Sequence, residues 1–235
     1  NATYREAVKR AQYGDIGQII CGESAYHCGA TWSHMEQLLQ ADPANPEVRL
    51  RCWGRDQALS GDIITEQNIH ALDVVTWILD QHPVRAYGTG GQKVRTVGDC
   101  WDHFSVIYTF PGDVVVTFNS RQFGQGYDDI LCRMYGTNGT IDTHYFGKVH
   151  IRGNRPYKGA DMVNLYTEGA VNNIAEFYDN ITKRRFSNPT VAASVRSNLT
   201  TILGRTAAYK RREVSWDEMM NANEKIEARL EGLKV

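Results

Sequence analysis

One stretch of mixed apolar and titratable residues, 60–79, constrains the fold of this chain more than any other. Apolar side chains recur within it at intervals of three and four residues, at Ile69, Leu72, Val75 and Leu79. These intervals predict an amphipathic helix. Glu66, His70 and Asp73 are spaced by four and three residues, so that helix would carry all three on one face. Burying two carboxylates and an imidazole is costly unless they pair or perform chemistry.

Glu66, His70 and Asp73 have the chemistry needed for proton transfer. A neutral imidazole can accept and return a proton near physiological pH. A carboxylate one turn away can fix its tautomer, and a second can accept hydrogen bonds from hydroxyl groups. The structural alternative pairs His70 with Glu66 and leaves Asp73 as a solvated residue. A divalent cation is a third option, but no neighbouring residues complete a ligand set, so we expect no metal.

Composition excludes several classes of function. The chain has 235 residues, is 42% apolar and carries a net charge of −1. This length and apolar content allow a large buried core. The near-zero charge argues against nucleic acid as the main partner, and no apolar run is long enough to imply a membrane partner. The cysteines lack Cys-x-x-Cys spacing and are expected to be reduced or buried thiols: Cys21, Cys28, Cys52, Cys100 and Cys132.

The order of predicted elements indicates a helix, then a sheet, then more helices. Residues 3–12 read as a basic helix, 18–25 as a strand, and 26–60 as a long polar loop. Within that loop, Trp32 and Trp53 could stack on a sugar or cover an edge of the sheet. Consecutive hairpins between residues 85 and 152 predict a largely antiparallel sheet, which can leave one face open. The predicted closing helices span residues 170–184, 191–209 and 216–233.

The stretch from Gly61 to Trp77 resembles a motif of the Gfo/Idh/MocA oxidoreductases, the glucose–fructose oxidoreductase and inositol dehydrogenase family. In that family, Asp-x-Gly-x-His-x-x-Asp opens the long helix of the second domain. Here Glu66 replaces the first Asp and Asn68 replaces the Gly, which is tolerable if the backbone at Asn68 is left-handed. The C-terminal pattern is also similar to the family's: a helix, Asn-Pro, a helix, and Arg-Arg-x-Val-Ser-Trp-Asp-Glu at 211–218.

The resemblance implies an α+β fold, a large, mostly antiparallel open β-sheet with helices packed on one face. It also implies a homo-oligomer, a dimer or tetramer, formed through the other face. Residues 1–235 would be a single substrate-binding domain, with residues 1–16 as the linking helix from a nucleotide domain. No Gly-x-Gly-x-x-Gly follows a predicted strand, so NAD or NADP is expected in the full-length protein and none on this chain.

The resemblance also assigns catalytic roles. His70 would accept the hydroxyl proton, Glu66 would orient His70, and Asp73 would hold a neighbouring hydroxyl group. The substrate would be a small carbohydrate or polyol, oxidised at a secondary alcohol. Two alternatives are an NAD-dependent glycoside hydrolase of the same family and a cofactor-free domain for carbohydrate binding or assembly. A similar sub-branch accompanies secreted, sugar-handling proteins, which favours a bacterial protein, cytoplasmic or exported.

Further candidate substrate contacts lie inside and outside the motif. They are Asn68, Asp102, His103, Arg121 and Tyr127. Asp102 and His103 begin a predicted strand and could be simple surface residues. The guanidinium group of Arg121 has forked N–H donors that suit hydroxyl groups or a carboxylate. An equal alternative is that Arg121 is an exposed charged residue at the rim with no role in binding. Tyr127 lies one position from the place where inositol dehydrogenases carry a substrate-contacting tyrosine.

Overall fold

An open sheet of nine strands runs through the part of the chain that the computed structural model describes, residues 1–187 and 189–233. The strands are β1 (Ile19–Cys28), β2 (Arg85–Gly91), β3 (His103–Phe110), β4 (Val114–Gln122), β5 (Asp129–Gly136), β6 (Gly139–His144), β7 (Lys148–Gly153), β8 (Tyr157–Asp161) and β9 (Val214–Ser215). Their order across the sheet is β8-β7-β6-β5-β1-β4-β3-β2-β9. Only β1 and β4 pair in parallel, so the predicted antiparallel sheet is confirmed.

Nine α-helices lie in the described residues, and five of them begin at a side-chain cap. The nine are α1 (Ala2–Gln12), α2 (Ser33–Ala41), α3 (Pro46–Arg51), α4 (Gln57–Ser60), α5 (Ile63–Glu66), α6 (Ile69–Leu79), α7 (Leu165–Thr182), α8 (Val191–Lys210) and α9 (Trp216–Ala222). Asn45 caps α3, whose first residue is Pro46, a position where a missing backbone N–H costs nothing. Ser215 caps α9 by accepting from the Glu218 backbone N–H at 3.1 Å.

Helices α1, α6 and α8 cover one face of the sheet. Leu72 of α6 and Leu203 of α8 are fully buried in one core cluster with Phe104, Tyr108 and Phe118 from the sheet. Side chains of a strand alternate between its faces, so the residues between these buried positions lie on the other side. The described residues therefore confirm the α+β class with helices packed on one face.

The opposite face of the sheet is open. Apolar side chains that are 38% to 51% exposed project on this side from β2, β3, β4 and β5: Tyr87, Ile107, Val115 and Tyr135. A charged network lies beside them, in which Arg133 donates to Glu23 and to Asp142, at 2.6 and 3.1 Å. This face thus combines exposed apolar side chains with fixed charges.

Two predicted segments differ from the structure. Residues 26–60 are not a long loop, because short helices α2, α3 and α4 follow the end of β1. Trp32 and Trp53 pack against each other there, with ring centroids 5.1 Å apart. The last helix ends at Ala222 and does not reach Leu233, because Asn223 takes a left-handed conformation.

The apolar stripe of α7 does not enter the core. Its members are 51% to 70% exposed: Val171, Ile174, Phe177, Tyr178 and Ile181. Val195 of α8 is likewise 51% exposed. The Asn-Pro break between the two helices involves Asn188, which lies outside the described residues. Periodicity identified both helices but not which stripe is covered.

Candidate functional site

The motif helix is interrupted between Glu66 and His70. Helix α5 ends at Glu66, and α6 begins at Ile69. Asn68 has φ −71° and ψ −10°, a right-handed conformation, so the left-handed backbone that would make Asn tolerable in place of Gly is not formed. The predicted single helix over 60–79 is therefore two helices, and Glu66 does not continue the α6 face that carries His70 and Asp73.

Asp62, at the start of the motif, has the left-handed backbone instead, with φ 70°. Its buried carboxylate accepts hydrogen bonds from the backbone N–H groups of Ile63 and Trp101 and from the Tyr209 hydroxyl. Burial raises the pKa of Asp62 to about 6, although these donors oppose the shift. Asp62 thus joins the motif to the following loop and to α8.

His70 and Asp73 line the same cavity, between α1, α6 and α7. It has a volume of about 400 Å³ and is lined by Asn1, Tyr4, His70, Asp73, Val74, Trp77, Tyr145, Leu165, Tyr166, Gly169, Ala170 and Asn173. The His70 ring lies 6.1 Å from the Tyr145 ring, which lies 5.8 Å from the Tyr166 ring. Exposed His70 thus faces a wall of aromatic side chains.

The surroundings of His70 favour its neutral form. Neighbouring side chains remove part of the water around the His70 ring and so lower the pKa of His70, while the charge of Asp73 acts in the opposite direction. Asp73 is itself held by α8, since the Ser197 hydroxyl donates to its Oδ1 at 2.6 Å. A neutral imidazole can accept a proton, and the adjacent carboxylate stabilises the resulting cation.

Glu66 belongs to a separate group of polar side chains. Burial raises the pKa of Glu66 to about 8, against the opposing charge of Arg95 and a hydrogen bond with Gln122. No hydrogen bond joins Glu66 to His70 in the described residues, so their predicted pairing is not formed. Asn68 beside it is fully buried, and its side-chain amide has no partner among the described residues.

Asp102 organises a loop. Its Oδ2 accepts from three consecutive backbone N–H groups, of Lys93, Val94 and Arg95, at 2.6 to 3.0 Å. Its Oδ1 contacts His103 Nδ1 at 2.7 Å. Burial alone would raise its pKa, but these donors hold the pKa of Asp102 below its usual value. The bonding capacity of Asp102 is thus used within the protein.

Arg121 holds the loop that follows β4. It donates to the carbonyl oxygens of Cys28, Phe123 and Tyr127. Tyr127 itself is 61% exposed. Arg121 pairs with His103 across β3 and β4, and the alternate residue Phe104 faces the helices. Arg121 and His103 therefore lie on the sheet face opposite α6, and the structure does not bring them to the His70 cavity.

Sequence reasoning missed the aromatic walls of the cavity. Tyr4, Tyr145 and Tyr166 come from three distant segments, and no spacing links them to His70. Two larger cavities, of about 650 and 470 Å³, adjoin residues 222–229, and no predicted site residue lines either one. In the described residues no group of three His, Cys, Asp or Glu side chains could hold a metal ion.

Comparisons with known proteins agree with this fold. The GFO/IDH/MocA C-terminal domain matches residues 4–142. The chain is 28% identical over 134 residues to inositol 2-dehydrogenase of Rhizobium meliloti, an alignment covering 53% of this chain and 40% of that protein. No helix among the described residues is long and apolar enough to cross a membrane.

Solved structures share the architecture at low sequence identity. Myo-inositol 2-dehydrogenase from Lactobacillus plantarum is 17% identical, with a TM-score of 0.65, over 92% of this chain and 62% of its own. Levoglucosan dehydrogenase, in complex with NADH and levoglucosan, is 18% identical, with a TM-score of 0.67, over 92% of this chain and 65% of its own. The chain thus spans less than two thirds of the length of these relatives. With a family match over more than half of its residues, the chain belongs to the Gfo/Idh/MocA family, through the C-terminal domain of that family.

Proposed function

We propose that this chain is the substrate-binding half of an NAD(P)-dependent oxidoreductase that acts on a secondary alcohol of a sugar or polyol. The observation that carries the proposal is the placement of the His70 imidazole beside the carboxylate of Asp73 in a cavity of about 400 Å³, where its surroundings lower the pKa of His70. Relatives named inositol 2-dehydrogenase and levoglucosan dehydrogenase support the reaction class.

His70 takes the role of proton acceptor. A bound nicotinamide would accept the hydride, and no residue of this chain is assigned to hold that cofactor. The imidazole receives the proton of the substrate hydroxyl, and the Asp73 carboxylate stabilises the imidazolium. Asp73 also accepts a hydrogen bond from a neighbouring hydroxyl. Glu66 stays in the proposal as a protonated carboxyl group near the site. To orient His70, as the sequence analysis expects, Glu66 would need residues 66–69 to rearrange.

The decisive experiment replaces His70 with Ala in the full-length protein. Loss of a general base lowers kcat by a factor of about 100 to 10,000, while the affinity for NAD or NADP stays unchanged. Steady-state kinetics and a cofactor titration measure the two quantities. His34→Ala, at an exposed histidine of α2, is the matched control and keeps full activity. Unchanged turnover in His70→Ala would remove His70 from this role, and sugar binding without any turnover would favour a cofactor-free binding domain.

The proposal includes a homo-oligomer built through the open face of the sheet. Exposed apolar side chains on β2, β3, β4 and β5 support it, because antiparallel sheets with one uncovered apolar face commonly use it as an interface.

A further inference from the structure

Arg95 is buried in the loop between β2 and β3, and its backbone and side chain are both held by hydrogen bonds. It is 7% exposed. Its backbone N–H is one of the three that donate to Asp102 Oδ2, and its Nη1 donates to the Trp101 carbonyl oxygen at 2.8 Å. Its Nη2 donates to the side-chain oxygen Oε1 of Gln122 on β4. The guanidinium group is therefore fixed in place and directed at Gln122.

The side-chain amide of Gln122 has one favourable orientation beside Arg95. A guanidinium group only donates hydrogen bonds, so Gln122 must turn its oxygen toward Arg95. The amide nitrogen Nε2 then faces the end of α5, where it donates to Gln67 Oε1 and where Gln122 also forms a hydrogen bond with Glu66. The Gln122 backbone N–H donates to the Asp102 carbonyl oxygen at 2.9 Å, so the same aspartate supports both members of the pair.

We propose that Arg95 is a positioning residue for Glu66, because through Gln122 it directs a hydrogen-bond donor at the Glu66 carboxyl group and favours its ionised form. The proposal rests on the proposed function, in which Glu66 lies near the site. The guanidinium group bonds to Trp101 and Gln122, and no ion pair joins it to Glu66 in the described residues. Without Arg95, the Gln122 amide can rotate by half a turn and present its oxygen to Glu66, which favours the protonated carboxyl group.

The other charges around Glu66 leave Arg95 as the main influence toward ionisation. Burial raises the pKa of Glu66 to about 8, and the charge of Arg95 is the largest opposing effect. The hydrogen bond with Gln122 and the charge of Arg55 also lower this pKa, while the charge of Asp62 raises it. Two titratable groups of β1 also act on Glu66, and burial raises the pKa of each, so that both are neutral near pH 8: Tyr26 and Cys28.

The test follows the titration of Glu66 in the full-length protein, by NMR of isotope-labelled glutamate carboxyl groups assigned with Glu66→Gln. Arg95→Met should move this titration to higher pH by about one to two pH units, because it removes the charge and releases the Gln122 amide. Gln122→Met should move it in the same direction by a smaller amount. Arg95→Lys keeps a cation that only donates and should stay near wild type. Arg152→Met, at an exposed arginine of β7, is the control and should change nothing.

Turnover gives a second measurement. Ionisation of Glu66 places a new negative charge near the site, so the alkaline limb of the kcat/KM profile should move to higher pH in Arg95→Met and not in Arg95→Lys. A wild-type Glu66 titration in Arg95→Met or in Gln122→Met overturns this inference, and Gln122→Met decides alone if Arg95→Met does not fold. Absence of turnover with sugars and polyols and either cofactor overturns the proposed function instead, while the NMR titration still tests Arg95.

Discussion

At the scale of single residues, the most strongly perturbed histidine is one whose partners the sequence does not show. His144 Nδ1 lies 2.5 Å from Asp129 Oδ2, and its Nε2 lies 3.0 Å from Asp142 Oδ1. Hydrogen bonds to Asp129 and Asp142 raise the pKa of His144 to about 9. The protonated form is therefore strongly favoured in the folded chain.

This geometry predicts a dependence of stability on pH. The folded-state pKa of His144 exceeds the ordinary value of 6.5, so its contribution is complete below pH 6.5 and is lost as pH rises through about 9. The loss in free energy of unfolding is about 1–3 kcal/mol. Urea denaturation of wild type and His144→Gln at pH 6, 7.5 and 9 measures it.

The difference between these two proteins isolates His144, because Glu66 titrates in both. His34→Gln, at an exposed position, should follow the wild-type curve. Equal pH dependence in wild type and His144→Gln would show that the two carboxylates do not stabilise the histidine.

Residues of the site could be predicted from the sequence only where they lie close together along the chain. The spacing of His70 and Asp73 within one helix placed both at the same cavity, and α6 maintains that spacing. Ser197, which holds Asp73, lies on α8, and its pairing depends on how two helices pack. Arg121 was identified as a candidate donor, but the carbonyl groups it binds depend on a loop conformation that composition does not specify.

At the scale of elements, the interrupted motif helix shows the limit of periodicity. Apolar spacing continues across residues 63–72, so the sequence offers no reason to divide it. The division arises because the backbone N–H of Asn68 bonds to the Ile63 carbonyl, one residue beyond the α-helical partner. This closes α5 and lets α6 start in a new orientation.

Two helical glycines give a matched prediction about packing. A methyl group at Gly204 of α8 would lie 1.9 Å from the Tyr108 hydroxyl oxygen, inside the core, so Gly204→Ala should destabilise by about 1–3 kcal/mol. A methyl group at Gly169 of α7 meets nothing within 4 Å, so Gly169→Ala should stabilise by about 0.5–1 kcal/mol. Thermal and urea unfolding of both variants measure these changes. Equal effects at the two sites would contradict the close packing of α8 on β3.

At the scale of the whole molecule, the sequence predicted the hairpins but not the sheet order. The pairs β3–β4, β5–β6 and β6–β7 join neighbours along the chain, which turn residues reveal. Strand β1 instead lies between β4 and β5, about a hundred residues away. Such long-range pairing depends on how the helix layer covers the assembled sheet. The pattern of apolar and turn residues within each segment therefore does not predict it.

The open face yields a prediction for assembly. Ile107 of β3 lies on this face and is 46% exposed, so Ile107→Lys would bury a charge in an interface built there. In the full-length protein, we expect this variant to dissociate at micromolar concentration, as measured by light scattering coupled to gel filtration. Leu38→Lys, at a 50% exposed leucine of α2, is the control and should keep the wild-type mass. An unchanged mass in Ile107→Lys would place the subunit contact elsewhere.

The uncovered stripe of α7 has a practical consequence for work with this chain. Its five large apolar side chains form an exposed hydrophobic patch along one side of the helix. Dyes that fluoresce on apolar surfaces will report this helix even when every strand is correctly assembled. Their signal therefore cannot serve as a gauge of misfolding, and purification of the isolated chain calls for low salt and dilute samples.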